Sequence, residues 1–505
     1  MTTTTSARHL RATATALAAA VTAGLLAGPA QAAELTAAAV PAPTRYPDDF
    51  NGDGHRDLAF SDPTGVVRDS SATRYGSGFV AVAYGTAAGV RDSRPRALSR
   101  FTPGVPALSE GRRPEAFGES LANADFNGDG YADLAVGGSW MDNGGVNRSG
   151  TVTLLWGSPQ GLKSGAEVRD NAPRREGQFG AALAAGDFDG DRKADLVVAH
   201  RNRLDLFKGP FNAQGKPAAI RQLPLEPADM RLFSAGHDNR LVVGRLDKDT
   251  TDDLAVLSEG GDMPGPGRVL LGGATGFRLS PVKTPAGMSG AIADFDKDGF
   301  GDLAVGAMMP MAWDHELGMP TRYRGQVGIA YGSAAGLDAT RAVQTVTKNT
   351  YGVPGRSERY DGFGQEVAAG DLNGDGHADL VVGNPGESND HTDCYSGCKN
   401  SGGALYVMKG GSKGVNPVGT RFYPHTTPGL PVPDGVFQFP RALGLADLNG
   451  DERPEITVAV RSKTGGQRIW SLDTRGGVPL DGAPVRTVLP PYGIRPGFSF
   501  GHFSG

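Results

Sequence analysis

The chain has 505 residues, of which 76 are glycine, and carries a formal net charge of −5 at pH 7. Glycine stands at about twice its usual share, and short β-branched runs recur between clusters of glycine, proline and aspartate, which favours an all-β fold over a helical one. An acidic balance gives no electrostatic footprint for nucleic acid, so we exclude a nucleic-acid-binding role.

Residues 1–32 are typical of a secretory signal peptide. A basic start ending at Arg11 precedes a small-residue apolar stretch over residues 12–28, and residues 30–32, Ala-Gln-Ala, supply the cleavage site. Residues 33–44 are expected to form a flexible linker. The sequence after residue 32 contains no run of about 18 apolar residues, so no membrane span is predicted. We expect a secreted protein, and we expect it to be monomeric.

A short acidic loop followed by a β-run then occurs seven times, with the pattern Asp-x-Asn/Asp-x-Asp-Gly-x-x-Asp-Leu. We number the loops 1 to 7 and the residues of each loop from position 1 to position 9. The loops begin at residues 49, 125, 187, 245, 294, 371 and 447. A repeat on this scale indicates a solenoid or a propeller. Each unit holds three recognisable strands and a variable fourth, and no unit has the character of a cap. The sequence therefore predicts a seven-bladed β-propeller of four-stranded antiparallel blades.

Two further elements recur with the loops. A Phe-Gly pair stands eight residues before several of them, as in Phe117-Gly118, and a Gly-rich turn such as Tyr331-Gly332-Ser333 ends a later strand. With these elements the chain resembles the FG-GAP repeat, also described as VCBS-like, of the integrin α-chain N-terminal propeller, over residues 45–505. The resemblance implies that the acidic loops bind calcium on one face of the propeller and that ligands bind on the opposite face.

The spacing of oxygen atoms in the loop suits a hard cation independently of the resemblance. Side-chain oxygens at positions 1, 3, 5 and 9 and a backbone carbonyl near position 7 provide the kind of oxygen shell that calcium prefers. Glycine at position 6 permits the positive φ with which the loop folds back. An EF-hand would need a glutamate at position 12 between two helices, but position 12 of loop 1 is Phe60 and the flanks are strands. The alternative is a metal-free turn held by Asx side chains.

Five loops carry the complete set of ligands, so we predict five structural calcium sites. Loop 3 has Arg192 at position 6, which is a mild defect. Loop 4 has Arg245 in place of the first aspartate, and we expect its guanidinium to occupy the place of the cation. Loop 7 has Glu452 at position 6 and Glu455 at position 9, so its metal binding stays open. The predicted ligands are Asp49, Asn51, Asp53, Asp57, Asp125, Asn127, Asp129, Asp133, Asp187, Asp189, Asp191, Asp195, Asp294, Asp296, Asp298, Asp302, Asp371, Asn373, Asp375 and Asp379.

Three local features carry separate expectations. Loop 1 lacks a preceding Phe-Gly pair, and we expect the Phe-rich residues 498–505 to supply the missing strand beside blade 1 and close the ring. Cys394 and Cys398 are expected to form a local disulfide, as is common in exported proteins; a two-thiolate metal site or a redox pair is the alternative. His55 and His377 stand at position 7, where we expect the side chain to point outward.

Function is expected on the face opposite the loops, where four connections are long. They combine aromatic residues with acids and amides, a composition that suits binding to a protein or a sugar. These connections are residues 61–78, 138–150, 308–324 and 384–403.

The sequence contains no Gly-x-Ser-x-Gly elbow, no His-Glu-x-x-His helix and no phosphate loop. We therefore expect a binding module for an extracellular protein or glycan, and not an enzyme. Two alternatives stay open. One is a lectin, since a fungal lectin family uses a similar propeller. The other is a polysaccharide lyase or hydrolase, for which a basic and aromatic cluster is available in Tyr351, Arg356, Arg359 and Tyr360.

Overall fold

The computed structural model describes most of the chain between residues 46 and 488. The predicted signal peptide, linker, cysteine pair and closing segment lie outside the described residues, as do Arg359 and Tyr360. The described residues are 46–65, 67–68, 73–74, 77–90, 95–106, 116–140, 148–225, 241–258, 265–314, 319–357, 362–387, 402–428, 430, 436–462, 467–474 and 485–488.

Every regular element in this part of the chain is a β-strand, and none of the described residues forms a helix that could cross a membrane. The strands form seven main sheets that follow one another along the chain, which we call blades 1 to 7, and two small hairpins. The predicted all-β, seven-bladed propeller is confirmed. In blades 1 to 3, with the β2–β3 hairpin, the strands are β1 (Leu58–Asp62), β2 (Val67–Arg68), β3 (Thr73–Arg74), β4 (Phe79–Ala83), β5 (Arg96–Leu98), β6 (Ser120–Ala124), β7 (Asp133–Gly138), β8 (Thr151–Trp156), β9 (Ser164–Val168), β10 (Leu183–Gly186), β11 (Asp195–His200), β12 (Arg203–Lys208) and β13 (Ala219–Gln222).

Blades 4 to 7 continue the same order, and the second hairpin, β21–β22, follows the third strand of blade 5. Their strands are β14 (Leu241–Gly244), β15 (Asp253–Ser258), β16 (Gly265–Leu271), β17 (Arg278–Leu279), β18 (Ser289–Ala293), β19 (Asp302–Asp314), β20 (Met319–Ala330), β21 (Gly332–Ser333), β22 (Gly336–Leu337), β23 (Gln344–Val346), β24 (Glu366–Gly370), β25 (Asp379–Asn384), β26 (Ala404–Lys409), β27 (Asn416–Pro424), β28 (Val436–Ala446), β29 (Glu455–Ser462), β30 (Gln467–Leu472) and β31 (Val485–Val488).

In blades 2 to 7 the acidic loop joins the first strand to the second, and loop 1 directly precedes β1. In blade 2 the register pairs Ala124 of β6 with Asp133 of β7, on either side of loop 2. Six blades have four strands, and blade 1 has three among the described residues. The strand predicted to complete blade 1, residues 498–505, lies outside them. Because each loop directly precedes the equivalent strand of its blade (β1, β7, β11, β15, β19, β25 or β29), the loops lie on one face, the loop face, and the connections that follow these strands lie on the opposite face.

Apolar side chains fill the spaces between successive blades, in seven clusters of described residues. One cluster joins the ends of the ring, with Phe60 and Phe79 from blade 1 packed with Leu448 and Ile469 from blade 7. The blades therefore form a closed ring. The residue at position 2 of each loop is inserted between blades, as in Phe126, which is fully buried, so each loop is anchored in the core.

Blade 5 carries a β-ribbon that extends beyond its sheet on the opposite face. The pairing of β19 with β20 continues from Ala307↔Gln326 to Asp314↔Met319, with bulges near Ala312. By contrast, β18 pairs with β19 only as far as Gly306, and β23 pairs with β20 only over Val327–Ile329. At about 3.3 Å per residue, the ribbon, residues 307–314 and 319–326, reaches roughly 25 Å past the sheet.

Candidate metal sites on the loop face

In each complete loop, the carboxylate at position 1 is a hydrogen-bond acceptor around which the backbone of the loop turns. In loop 1, Asp49 Oδ1 accepts hydrogen bonds from the N–H groups of Gly52 (2.7 Å) and Asp53 (3.1 Å), and its Oδ2 accepts one from Gly54 (2.9 Å). Positions 4 and 6 adopt positive φ, at 70° for Gly52 and 85° for Gly54. This is the backbone shape for which glycine at position 6 was expected.

The acid at position 9 holds the loop to the blade. Asp57 is fully buried, and its two oxygens accept hydrogen bonds from Phe50 N at 2.9 Å and from Gly85 N, just after β4, at 2.8 Å. Burial, and then the neighbouring acids Asp49 and Asp53, raise its pKa to about 8. Burial likewise raises the pKa of the position 9 acid to about 8 in Asp133 and Glu455, to about 7 in Asp195 and Asp302, and to about 6 in Asp253 and Asp379. A bound cation would relieve this cost.

Hydrogen bonds also join loops 1 to 5 to the next blade. The N–H at position 8 donates to the position 1 carbonyl of the preceding loop, as from Ala132 to Asp49 at 3.0 Å and from Ala378 to Asp294 at 3.0 Å. The position 2 carbonyl accepts from the turn that follows the third strand of the next blade, as at Phe50, where the donor is Ser158 N at 3.2 Å. Ordering one loop therefore orders the contact between two blades.

The expected outward orientation of His377 is wrong. This side chain is partly buried, and its Nδ1 lies 3.2 Å from the carbonyl oxygen of Phe295, at position 2 of loop 5. Tyr131 behaves similarly, because a Cβ placed on Gly52 of loop 1 would lie 2.5 Å from its ring. Position 7 thus contacts the preceding loop, which sequence spacing within one repeat could not show.

The side chain at position 3 divides the complete loops into two types. Loops 1, 2 and 6 have asparagine, which bonds to another loop acid; Asn51 Nδ2, for example, donates to Asp53 Oδ2 at 2.9 Å. Loops 3 and 5 have aspartate, and a basic side chain outside the loop pairs with it. Lys208 contacts Asp189 in loop 3, and Arg341 Nη1 lies 2.6 Å from Asp296 Oδ2 in loop 5. Neither base was predicted as part of a site.

Loops 3 and 5 show directly that their residues fit a cation. In each, three carboxylates bring one oxygen apiece within 4.8 Å of one another: Asp187, Asp189 and Asp191 in loop 3, and Asp294, Asp296 and Asp302 in loop 5. Three buried oxygens of loop 3, Asp187 Oδ1, Asp189 Oδ1 and Asp195 Oδ2, have no hydrogen-bond partner within the described part of the chain. Oxygen-only donors of this kind match calcium.

Loop 4 departs from the pattern for a different reason from the one expected. The side chain of Arg245 is 58 % exposed, and its Nε pairs with Asp252 Oδ1 at 3.2 Å, at position 8 and outside the ligand set. The guanidinium therefore does not occupy the place of a cation. Two other features separate this loop: it has no carboxylate at position 1, and its position 6, Thr250, lacks the positive φ found in the six other loops.

Loop 7 combines two substitutions. In the other six blades glycine ends the third strand, because a Cβ there would clash; one on Gly85 would lie 2.0 Å from the Arg56 carbonyl oxygen. Blade 7 has Asp473 at this place and the longer Glu455 at position 9. The carboxylates of Asp451, Glu455 and Asp473 bring oxygens within 4.8 Å of one another. Sequence reading missed Asp473 because it stands outside the loop.

The proposed lyase cluster is only partly described. Tyr351 is 87 % exposed and Arg356 is also exposed, in the segment between blades 5 and 6.

Comparison with known proteins finds the same repeat. The FG-GAP repeat family matches residues 286–329 and 363–408, and the FG-GAP-like repeat family matches residues 119–198. The chain is 35 % identical over 153 residues to rat phosphatidylinositol-glycan-specific phospholipase D, covering 30 % of this chain and 17 % of that protein. It is 34 % identical over 161 residues to Drosophila melanogaster integrin alpha-PS5, covering 30 % of this chain and 14 % of that protein. The predicted resemblance to FG-GAP repeats of the integrin α type is confirmed.

Among solved structures, the BP39L lectin from Burkholderia pseudomallei aligns with 85 % of this chain and 98 % of its own, at 13 % identity and a TM-score of 0.42. The chain spans less than a fifth of the two sequence relatives, at 17 % and 14 % of their lengths.

Proposed function

We propose that this FG-GAP propeller is a secreted, calcium-stabilised binding module that recognises an extracellular protein or matrix component on the face opposite the loops. The observation that carries the proposal is the β19–β20 ribbon, which extends beyond its sheet on that face. The proposal assigns no catalysis to the propeller.

Calcium supports the ring and takes no part in recognition under this proposal. Five loops, those beginning at residues 49, 125, 187, 294 and 371, would each hold one ion through positions 1, 3, 5 and 9. A bound ion neutralises carboxylates that lie close together and partly buried. Because loops 1, 2, 3 and 5 are hydrogen bonded to the next blade, ions in these loops would stabilise the contacts between blades. At tenfold excess over its dissociation constant, calcium adds roughly 1.4 kcal/mol per site.

The ribbon has the composition of an interface and not of a structural edge. Its strands contain Met308, Met309, Met311, Trp313 and Tyr323, and methionine and aromatic residues are enriched in protein interfaces.

Two prolines limit pairing of the ribbon with a further strand. Pro310 lies opposite Tyr323, and Pro320 lies opposite Trp313, so each strand of the ribbon has one residue without an N–H donor. Prolines on exposed strands discourage edge-to-edge aggregation. The ribbon can therefore stand clear of the ring and still be compatible with a protein that stays in solution, as a reversible binding module requires.

The test removes the ribbon and leaves the ring. Residues 309–324 are replaced by Asn-Gly, which closes the hairpin between the paired residues Met308 and Gly325. Wild type and variant are applied to immobilised extracellular-matrix proteins and to a glycan array. We expect the wild type to bind a matrix protein and the variant to lose that binding at least tenfold.

A variant that binds as well as the wild type would place recognition elsewhere. Binding of the wild type to one class of sugar alone, with no protein ligand, would replace the proposal by a lectin. The matched control is Lys409→Met on the loop face, which should bind like the wild type.

A further inference from the structure

Lys208 places an ammonium group among the predicted metal ligands of loop 3. Its Nζ contacts the carboxylate of Asp189 at position 3 and lies 3.2 Å from Asp191 Oδ2 at position 5. The lysine ends β12 and precedes Gly209, whose N–H donates to Asp195 Oδ1 at 2.9 Å. The backbone that presents Lys208 is therefore fixed to the same loop that its side chain enters.

One ammonium does not satisfy this loop. Asp189 is only 8 % exposed in its side chain, and three buried oxygens, on Asp187, Asp189 and Asp195, have no hydrogen-bond partner among the described residues. Loop 3 carries four carboxylates at its ligand positions, one more than loops 1, 2 and 6. It thus keeps the donors of a divalent cation site while a basic side chain of the protein is bound to two of them.

Two other loops show what this arrangement requires. Lys409 ends the third strand of blade 6, as Lys208 does in blade 3, but it is exposed, and among the described residues no ion pair joins it to loop 6. Loop 6 has Asn373 at position 3, where loop 3 has Asp189. Of the two lysines at this place, the one that enters its loop is thus the one whose loop has a charge at position 3.

Loop 5 also has a charged residue at position 3, Asp296, but its basic partner is an arginine instead of a lysine. Arg341 contacts only Asp296 among the loop acids, and it is held outside the loop by the ring of Tyr331, 3.1 Å from the ring centre, and by the carbonyl of Lys413 at 3.2 Å. Arg341 therefore compensates one charge from the side, whereas Lys208 bridges two ligand positions.

We infer that Lys208 is a resident cation of loop 3 that competes with calcium, so that loop 3 is the weakest of the five predicted calcium sites and fills last. The inference rests on the proposed binding of calcium by the loops. Calcium must displace the ammonium from Asp189 and Asp191, and the 28 % exposure of the lysine side chain gives the ammonium a route to solvent. The lost ion pairs should weaken calcium binding at this loop by about tenfold.

The test compares full-length wild type, Lys208→Met and Lys409→Met by titrating chelator-stripped protein with CaCl₂ in a calorimeter. We expect the wild type to show one site about tenfold weaker than the others, and Lys208→Met to bring that site into the tight group. Lys409→Met should titrate like the wild type. A Lys208→Met titration that matches the wild type, or that loses a site, would overturn the inference.

A second variant separates competition from a simple change of charge. Asp189→Asn gives loop 3 the same residue as loops 1, 2 and 6, and should release Lys208. Under competition, Asp189→Asn weakens calcium binding by less than twofold, and Lys208→Met then adds less than twofold in the double mutant, whereas it adds about tenfold alone. Equal gains from Lys208→Met in both backgrounds would contradict competition. Absence of any calcium binding by the wild type would instead remove the proposed calcium sites themselves.

Discussion

The structure of the loop face repeats from blade to blade more closely than the structure of the opposite face does. On the loop face, a hydrogen bond from the position 6 N–H to the position 1 carboxylate recurs in six of the seven loops, and hydrogen bonds join loops 1 to 5 to the next blade. On the opposite face, the connections range from the two-residue turn between β11 and β12 to the ribbon of blade 5. Stability must be supplied at every blade contact, whereas recognition needs one distinctive surface. This difference supports the proposal that the repeated face holds structural metal and that the varied face binds a ligand.

Removal of calcium should have the largest effect, because it acts on the repeated face at every complete loop. Five sites at roughly 1.4 kcal/mol each predict that a chelator lowers Tm by about 10 °C. Differential scanning calorimetry in CaCl₂ and in EDTA measures the difference, and MgCl₂ is the matched control ion. An identical Tm in CaCl₂, MgCl₂ and EDTA would show that calcium binding by the loops does not stabilise the fold.

Asp133→Asn tests the buried acid at position 9, and it should cost about 2–4 kcal/mol with or without calcium. Asp133 accepts hydrogen bonds from Phe126 N (3.0 Å) and Gly157 N (2.8 Å), and an amide would turn a donor towards one of these donors. The control is Asp129→Asn at position 5, which should lower stability only when calcium is present. Urea unfolding followed by fluorescence distinguishes them; equal, calcium-dependent losses would mean that position 9 acts only as a ligand.

Metal-free protein should lose stability as pH rises from about 4 to 8. Burial raises the pKa of Asp57 and Asp133 to about 8, from an ordinary value near 3.8, so the unfolded chain releases these protons first and ionisation disfavours the folded state. The cost is absent below pH 4 and complete above pH 8. Thermal melts in EDTA should show a lower Tm at pH 8 than at pH 6. With saturating calcium, the difference in Tm between pH 6 and pH 8 should shrink. A difference of the same size would count against the idea that calcium offsets the cost of ionising these buried acids.

Loop 4 offers a gain of function on the loop face. Arg245→Asp with Thr250→Gly restores the carboxylate at position 1 and permits positive φ at position 6, the two features that this loop lacks. We expect one additional calcium ion per chain and roughly 1.4 kcal/mol of extra stability at tenfold excess. Arg245→Asp alone is the control and should add neither, since Thr250 resists the required backbone. A sixth site in the single variant would show that position 6 is not limiting.

The smallest effect is expected on the opposite face. Replacing residues 309–324 by Asn-Gly should change the free energy of unfolding by less than about 0.5 kcal/mol, because the ribbon pairs with neither β18 nor β23 beyond Gly306 and Val327. Urea unfolding in CaCl₂ measures this change. A decrease of several kcal/mol in the free energy of unfolding would show that the ribbon belongs to the structural core. The two faces would then not differ in their contribution to stability as described.

Sequence reading recovered the features that recur in register. Seven copies of the loop gave the number of blades, and the Phe-Gly pairs marked residues that the structure buries, as with Phe117 and Phe179. It could not find contacts made to a loop by residues that stand outside it and do not repeat. Lys208 and Arg341 stand 19 and 45 residues after the aspartates that they contact. His377 contacts a carbonyl 82 residues earlier.

The ribbon shows a second limit. The sequence marks residues 308–324 as a long connection rich in methionine and aromatics, but Pro310 and Pro320 argue against regular strands there. The structure nevertheless pairs these residues, with bulges near Ala312. Pairing is possible because each strand of a two-stranded ribbon forms hydrogen bonds to a neighbouring strand on one side only.

The most direct test of the account is the number of calcium ions bound by the native chain, counted by native mass spectrometry of chelator-stripped protein returned to millimolar calcium. The account predicts five ions per chain, falling to four in Asp125→Ala, which removes the position 1 ligand of loop 2. A chain that binds no calcium, or whose count is unchanged by Asp125→Ala, would contradict the assignment of the loop face to structural metal.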